Sequence, residues 1–163
     1  MGAGKTTIGR QLARRLSLDF FDSDREIEKT AGVDVATIFE FEGEAGFRKR
    51  ERRTIRELSE KHGIVAATGG GAILMEENRQ CLARSGTVIY LAAGIEEQLR
   101  RTRHDRKRPL LHTAEPLQAL QKLAELRNPL YQSIADICIS TEGRNARSVV
   151  QSLAKELQAQ RAV

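Results

Sequence analysis

The sequence predicts an α/β fold in which helices cover both faces of a parallel β-sheet. Stretches with apolar residues at helical spacing alternate along the chain with short apolar runs of the kind that form strands. One such run, at 64–67, is apolar throughout and leads into three consecutive glycines, as expected of a buried parallel strand that ends in a loop. Strands and helices that alternate in this way pack as a parallel sheet with helices on either side.

Each element is predicted from its own pattern, and no repeat or Pro/Gly-rich linker lies between the elements. Helices are predicted over 4–16, 25–41 with a break near 32, 43–61, 76–84, from 95 until the pattern is lost at 103–115, 116–133 and 148–159. Strands are predicted over 19–22, 64–67, 87–91 and 137–139. A chain of 163 residues is long enough for one domain with a sizeable core, so a single domain over 1–163 is predicted.

The composition is ordinary for a soluble globular protein. Apolar residues make up 40% of the chain and charged residues 30%, and no apolar run approaches the ~20 residues that span a membrane. Lys5 and Arg10 interrupt the region in which a signal peptide would carry its apolar core. A cytoplasmic protein without a membrane partner is therefore predicted.

Cysteine and histidine give no sign of a metal site. Cys81 and Cys138 lie far apart and match no ligand spacing, so both are interpreted as small, buried, reduced residues. The histidines, which are His62, His104 and His112, form no pair at a ligating spacing either.

Basic residues outnumber acidic ones, and the formal net charge is +5. Of the 27 basic residues 20 are arginine, whose planar guanidinium binds carboxylate and phosphate through two parallel hydrogen bonds. Such an excess is compatible with nucleic acid, with an acidic substrate or with a solvated surface. The densest basic stretch, 100–108, is interpreted as mostly solvated, because aromatic residues are only 4% of the chain and no nucleic-acid-binding motif is present. No nucleic-acid partner is predicted.

The segment GAGKTT at 2–7 is the C-terminal part of a G-x-x-x-x-G-K-[ST] phosphate loop. Its backbone N–H groups would surround a phosphate, Lys5 would reach the outer phosphate oxygens, and the Thr6 hydroxyl would bind Mg²⁺. The predicted ATP-binding residues of the loop are Gly2, Ala3, Gly4, Lys5, Thr6 and Thr7. A glycine-rich helix start with a chance Lys-Thr pair is the alternative.

The loop by itself indicates nucleotide binding and leaves the reaction open. GTPases are disfavoured because no N-K-x-D segment is present, and motor or transport ATPases are usually much larger. A small metabolite or nucleotide kinase is the interpretation that remains.

The phosphate-loop pattern would have its first glycine two residues before Met1. A phosphate loop joins a buried strand to a helix, so the first strand is expected to be absent from this chain. The natural protein is then expected to begin about ten residues upstream, with a misassigned start codon or a truncation as the cause. Without that strand, unpaired backbone groups would cost ~1–3 kcal/mol each and should prevent normal folding.

Two carboxylates, Asp22 and Asp24, lie at and just after the end of the strand predicted at 19–22, where the carboxyl ends of parallel strands form a ligand crevice. Asp22 can hold the water shell of Mg²⁺, and Asp24 can accept a proton from an attacking hydroxyl. The alternative is that Asp24 only caps the helix that starts at Arg25.

Five further motifs occur in a fixed order along the chain. They are FDSD at 21–24 with IE at 27–28, GFR at 46–48 with Glu51, GGG at 69–71, RPLL at 108–111 and RNPLY at 127–131. Together with the phosphate loop they resemble the shikimate kinase family over nearly the whole chain. The resemblance implies a P-loop kinase fold with a five-stranded parallel sheet, the absent strand lying in its middle. It also implies a mobile lid at approximately 101–115 and an acceptor-binding region at approximately 22–61.

The resemblance further implies an activity, the transfer of the γ-phosphoryl group of ATP to the 3-hydroxyl of shikimate in aromatic amino-acid biosynthesis. Mg²⁺ is the implied cofactor, ATP and shikimate are the implied ligands, and the protein is expected to be a monomer. Alternatives are another small P-loop kinase, acting for example on gluconate or a nucleoside monophosphate, and a noncatalytic basic module that binds nucleotide or RNA.

By the family's pattern, Asp24 contacts the ring hydroxyls and accepts the proton, and Asp22 assists Mg²⁺. Arg48 and Arg127 bind the shikimate carboxylate, although Arg48 taken alone would be interpreted as a surface charge among its basic neighbours. The other implied residues are Gly69, Gly70 and Gly71 beside the ring, Lys5 and Arg108 at the transferred phosphoryl group, and Arg101, Arg108 and Arg144 around ATP.

Overall fold

Seven α-helices and four short parallel strands form the part of the chain that the structure, a computed structural model, describes, which is residues 2–102 and 115–161. The helices are α1 (Lys5–Leu16), α2 (Ser23–Ala31), α3 (Val35–Ser59), α4 (Glu76–Ser85), α5 (Ile95–Thr102), α6 (Pro116–Ile134) and α7 (Ala146–Arg161). The strands are β1 (Asp19–Asp22), β2 (Ile64–Ala67), β3 (Ile89–Ala92) and β4 (Ile137–Ser140), and a 3₁₀ turn covers Ala72–Leu74. The predicted α/β class is confirmed.

The strands pair two by two. β1 runs parallel to β2, with Asp19 opposite Ile64, and β3 runs parallel to β4, with Ile89 opposite Ile137. Among the described residues no ladder joins β2 to β3, and a cavity of about 300 Å³ lies between them on the side of α1 and α7. A second cavity of about 290 Å³ lies between the same strands on the side of α3 and α4. We call this open position between β2 and β3 the slot.

The slot changes the burial of the strands beside it. The apolar run at 64–67 predicts a buried strand, but Ile64 and Val65 are only half-buried and Ala66 is exposed. The reason is that one edge of β2 faces the slot, so neither a neighbouring strand nor its side chains cover that edge. The prediction of a parallel strand is confirmed, and the prediction that it is buried is wrong.

Among the described residues, two apolar clusters make up much of the core. The first joins α1, α7 and β4 through residues such as Leu12, Ile137 and Leu153, all at most 2% exposed. The second joins α2 to α3 through Ile27 and Phe47. Full burial of such side chains stabilises a fold by about 1.5–3 kcal/mol each, so these clusters hold the helices that carry the site.

Glycines set the ends and bends of the helices around β1. Gly32 ends α2 in the left-handed conformation, with φ of 74°, which confirms the predicted break near 32. Gly43 bends α3, with φ of 66° and ψ of −176°, where the sequence predicts one helix to stop and the next to begin. The helix cap at the end of β1 is Asp22, whose side chain accepts from the Asp24 N–H, so the capping interpretation of Asp24 is wrong.

Cys138 corrects a further expectation, because its side chain is exposed and that of Cys81 is only half-buried. Successive side chains of a strand point to opposite faces. Ile137 and Ile139 point to the α1/α7 cluster, so Cys138 points to the other face of β4. In the described ranges, no helix is both long and apolar enough to cross a membrane.

Candidate active site

The phosphate loop lies at the amino end of α1. Gly2 and Gly4 have φ values of 65° and 82°, a left-handed conformation that glycine adopts without a steric cost. Gly4 precedes α1 without a side-chain cap on the first helical N–H groups. Those groups and the positive end of the helix dipole can therefore receive an anion.

Thr6 and Asp22 meet beside this loop. The Thr6 hydroxyl donates to Asp22 Oδ2 at 2.7 Å, and Asp22 Oδ1 accepts from the Asp24 N–H at 3.1 Å. The structure thus brings together the two residues that the sequence predicts at the metal. The side-chain atoms that these residues can offer to a metal ion are all oxygens, which suits a hard cation such as Mg²⁺. Within the described ranges no three His, Cys, Asp or Glu side chains form a metal-binding group.

The glycine turn (Gly69–Gly71) follows β2 and meets three charged side chains. A Cβ atom on Gly69 would lie 2.8 Å from Glu51 Oε1 and 2.9 Å from Asp24 Oδ1, and one on Gly71 would overlap the Arg48 guanidinium. Any larger residue would displace these groups. Glycine therefore allows the backbone to approach the ends of these side chains closely.

Arg48 is anchored by two carboxylates of its own helix. Its Nη1 lies 2.5 Å from Glu51 Oε2, and its Nη2 lies 3.1 Å from Glu44 Oε1. The Arg48 side chain is only 13% exposed and that of Glu51 is fully buried, so the surface interpretation of Arg48 is wrong. Burial raises the pKa of Glu51, and the Arg48 guanidinium opposes this rise. Burial favours a lower pKa for Arg48, but Glu51 and Glu44 together outweigh burial and raise that pKa.

Arg127 reaches the same turn from α6. It is 5% exposed, and Tyr131, one helical turn further on, donates from its phenol to the Gly70 carbonyl oxygen at 2.5 Å. Among the described residues, Arg127 Nε and Glu51 Oε1 are buried without a hydrogen-bond partner. Leaving a buried polar atom unsatisfied costs about 1–3 kcal/mol, so both atoms suit a site that receives a polar ligand.

One cavity of about 110 Å³ connects the phosphate loop with the glycine turn. Ala3 and Lys5 border it on one side, Gly69 and Gly70 on another, and Arg127 on a third. A group held at the amino end of α1 would thus lie next to a group held by the turn. This is the arrangement that transfer between two substrates requires.

The shikimate kinase family model matches residues 1–158. The chain belongs to the shikimate kinase family. It is 55% identical over 154 residues to the shikimate kinase of Haemophilus influenzae (strain PittEE), covering 94% of this chain and 86% of that protein. It is 57% identical over 148 residues to the shikimate kinase of Pasteurella multocida (strain Pm70), covering 90% and 85%.

Solved shikimate kinases share the fold. That of Acinetobacter baumannii in complex with shikimate superposes with a TM-score of 0.96 at 45% identity, covering 98% of this chain and 89% of that one. That of Aquifex aeolicus superposes with a TM-score of 0.86 at 35% identity, covering 98% and 93%. The predicted P-loop kinase fold and the predicted activity, phosphorylation of shikimate by an ATP-dependent kinase, are thereby confirmed.

The arginines predicted around ATP have different surroundings. Arg101 donates to the Gly2 carbonyl oxygen and to Thr141, so it ties the phosphate loop to the end of β4. Arg144 donates to Ser148 and to Ser152 in α7. Arg108 and most of the predicted lid at 101–115 lie outside the described residues.

Three further residues lie at this candidate site but are not among the site residues predicted from the sequence. Glu51 belongs to the GFR motif that carries Arg48, and its spacing of three positions from that arginine could have identified it. Ser23, fully buried, accepts the Gly69 N–H at 3.1 Å, and Tyr131 binds Gly70. Both lie inside quoted motifs, but only the folded chain shows that they reach the glycine turn.

Proposed function

We propose that this chain transfers the γ-phosphoryl group of ATP to the 3-hydroxyl of shikimate through the residues that surround the cavity between the phosphate loop and the glycine turn. The observation that carries the proposal is that Lys5, Gly70 and Arg127 border one cavity although they are far apart in sequence. The cavity then joins a site for the phosphates, at Lys5, to a site for an acceptor that carries a carboxylate, at Gly70 and Arg127.

ATP is held by its phosphates in this proposal. The N–H groups of the loop and the first turn of α1 receive the phosphates, and Lys5 neutralises charge on the group being transferred. Thr6 and Asp22 would hold Mg²⁺ together with the phosphate oxygens. When bound, the ion offsets negative charge on those oxygens.

Asp24 acts as the general base. Its carboxylate lies beside Gly69, which borders the cavity, and Asp24 stands in the first turn of α2 directly after β1. In this position it accepts the proton of the acceptor hydroxyl while the hydroxyl oxygen bonds to the γ-phosphorus and the bond from that phosphorus to the ADP oxygen breaks. The Glu51 carboxylate lies near that of Asp24, since both carboxylates approach Gly69.

Arg48 and Arg127 bind the substrate carboxylate. Arg48 is held in place by Glu51, and Arg127 has a buried Nε atom that finds no partner in the described part of the chain. Two guanidinium groups, fixed by burial, can each donate charge-assisted hydrogen bonds to one carboxylate. The glycine turn lets the backbone approach the ring between them.

The outer parts of the proposal concern the nucleotide base and the lid. Arg101 and Arg144 flank the adenine. A role for Arg108 at the phosphates, from a lid at approximately 101–115, stays a prediction, because Arg108 lies outside the described residues. A single domain, a monomer without nucleic-acid or membrane partners, and a cytoplasmic location stay predictions.

A coupled ADP-release assay tests the function, and Asp24→Asn tests the base. We expect release of ADP that requires both shikimate and Mg²⁺. Asp24→Asn should lower turnover by about 10²–10⁴-fold with ATP binding largely intact, because loss of a general base removes that much rate. Asp19→Asn, at the exposed start of the same strand, is the matched control and should keep normal turnover.

Near-normal turnover of Asp24→Asn would remove Asp24 from the mechanism. Absence of shikimate-dependent ADP release, with turnover of another acceptor, would favour a different small-metabolite kinase. Retention of RNA without turnover of any acceptor would favour the binding module.

A further inference from the structure

Tyr131 connects α6 to the backbone of the glycine turn across 61 positions of sequence. Its phenol donates to the Gly70 carbonyl oxygen at 2.5 Å, a short hydrogen bond for an O–H donor. Burial raises the pKa of Tyr131, so the phenol keeps its proton and remains a donor at neutral pH.

The Tyr131 ring is itself held in place. It stacks on Tyr90 with 4.8 Å between ring centroids and 20° between ring planes. The Tyr90 phenol donates to Asn128 Oδ1 at 3.1 Å, which ties this second ring to α6 as well. The ring stacking, which does not require the Tyr90 phenol, gives the donor of the Gly70 hydrogen bond a defined position.

The direction of the Gly70 carbonyl determines that of the next N–H group. In a planar trans peptide the C=O and the following N–H point in opposite directions, and no cis peptide is found in the described ranges. The Gly71 N–H therefore points away from Tyr131. Gly71 also lies against the Arg48 guanidinium, as the overlap of a Cβ atom there shows.

A second contact fixes the other end of the turn. The Gly69 N–H donates to Ser23 Oγ, and Ser23 is fully buried beside Asp24. In contrast, no partner for the Gly71 N–H is found among the described residues. Hydrogen bonds thus hold the turn at Gly69 and Gly70, and the Gly71 N–H is the group that can donate to a ligand.

We propose that Tyr131 is a positioning residue that orients the Gly70–Gly71 peptide so that the Gly71 N–H donates, beside Arg48, to an oxygen of the acceptor substrate. Tyr131 touches neither the acceptor nor the reacting atoms in this proposal and acts through the backbone alone. The identity of the acceptor rests on the proposed function, in which it is shikimate.

Tyr131→Phe tests the role of the phenol, since it removes one oxygen and keeps the ring that stacks on Tyr90. We expect the KM for shikimate to rise about tenfold, with the KM for ATP changed less than about twofold and the thermal unfolding midpoint nearly unchanged. Tyr90→Phe is the matched control, because it removes the phenol oxygen of the other ring of the pair. In Tyr90→Phe the KM for shikimate should stay within about twofold of the wild-type value.

A second measurement needs no turnover. The ¹H–¹⁵N resonance of the Gly71 amide in the free protein should shift in Tyr131→Phe and stay in place in Tyr90→Phe. An unchanged Gly71 resonance would overturn the inference, as would an equal rise of the two KM values or an equal effect of both variants. A Gly71 shift in a chain that does not turn over shikimate would instead contradict the proposed function and support the orientation of the peptide.

Discussion

At the scale of single residues, Glu51 is the buried carboxylate beside the proposed acceptor site. Its carboxylate anchors Arg48 and approaches Gly69, and nothing in the described part of the chain binds its second oxygen. A buried ion pair contributes little net stability, because desolvation offsets the attraction between the charges. We therefore propose that Glu51 orients Arg48 rather than adding net stability.

Glu51→Gln should separate binding from stability. We expect the KM for shikimate to rise about tenfold, because Arg48 loses a charge-assisted contact. Glu57→Gln is the control, since Glu57 pairs with Arg53 on the exposed side of α3. It should leave the KM unchanged. An unchanged KM in Glu51→Gln would show that Arg48 keeps its position without this carboxylate.

The pH dependence of stability offers a second test of Glu51. Burial raises the pKa of Glu51 above its ordinary value of 4.5, so the folded chain keeps this proton at pH values where the unfolded chain loses it. Stability therefore falls as pH rises from about 4.5 through the folded pKa. Urea unfolding at several pH values should show this slope in the wild type and a smaller one in Glu51→Gln. Identical slopes in the wild type and in Glu51→Gln would contradict a raised pKa of Glu51 in the folded chain.

Residue types at the site were predictable from motifs, whereas their contacts were not. The sequence places Asp22, Asp24 and Arg48 in short patterns with a known chemical use, and the structure brings all three to the carboxyl end of β1 and β2. Tyr131 lies in a motif too, but its hydrogen bond to Gly70 joins residues 61 positions apart. Only packing of α6 against the glycine turn defines that contact.

At the scale of elements, β2 shows how a sequence pattern can mislead about burial. An apolar run predicts a strand that neighbours cover on both sides, but one edge of β2 borders the slot. The 3₁₀ turn at Ala72–Leu74 is a second feature without a periodic signal. Hydrogen bonds from Ala72 N to Gly69 O and from Leu74 N to Gly71 O define it.

Adjacent positions of β2 should respond differently to a charge. Ala66 is exposed to the slot, so Ala66→Lys should change the free energy of unfolding by no more than about 0.5 kcal/mol. Ala67 is 8% exposed, so Ala67→Lys should cost more than about 2 kcal/mol, because the ammonium group loses its water without gaining a partner. The urea denaturation midpoints of the two variants and the wild type measure these two changes in the free energy of unfolding. Equal costs would show that the slot is closed to water.

At the scale of the whole molecule, the active site depends on contacts between segments far apart in sequence. The phosphate loop, the end of β1, the glycine turn and α6 meet at the carboxyl ends of β1 and β2, where ligands bind in parallel sheets of this kind. Helix α1 holds the loop there by packing on α7. The order of the motifs predicted this assembly.

The central claim is that Arg48 and Arg127 bind the carboxylate of the acceptor. It is tested most directly by kcat/KM for shikimate and for an analogue without the carboxylate, measured in the wild type, Arg48→Ala and Arg127→Ala. Each lost charge-assisted contact is worth about 1.5–3 kcal/mol, which is roughly a 10- to 150-fold loss with shikimate.

Arg50→Ala is the control for this measurement, because Arg50 lies two positions from Arg48 on α3 and pairs only with the exposed Glu42 among the described residues. We expect kcat/KM for shikimate to fall in Arg48→Ala and Arg127→Ala and to stay unchanged in Arg50→Ala. For the analogue, kcat/KM should be nearly unchanged in all three variants. If the analogue loses as much as shikimate does in the first two variants, the arginines do not bind the carboxylate.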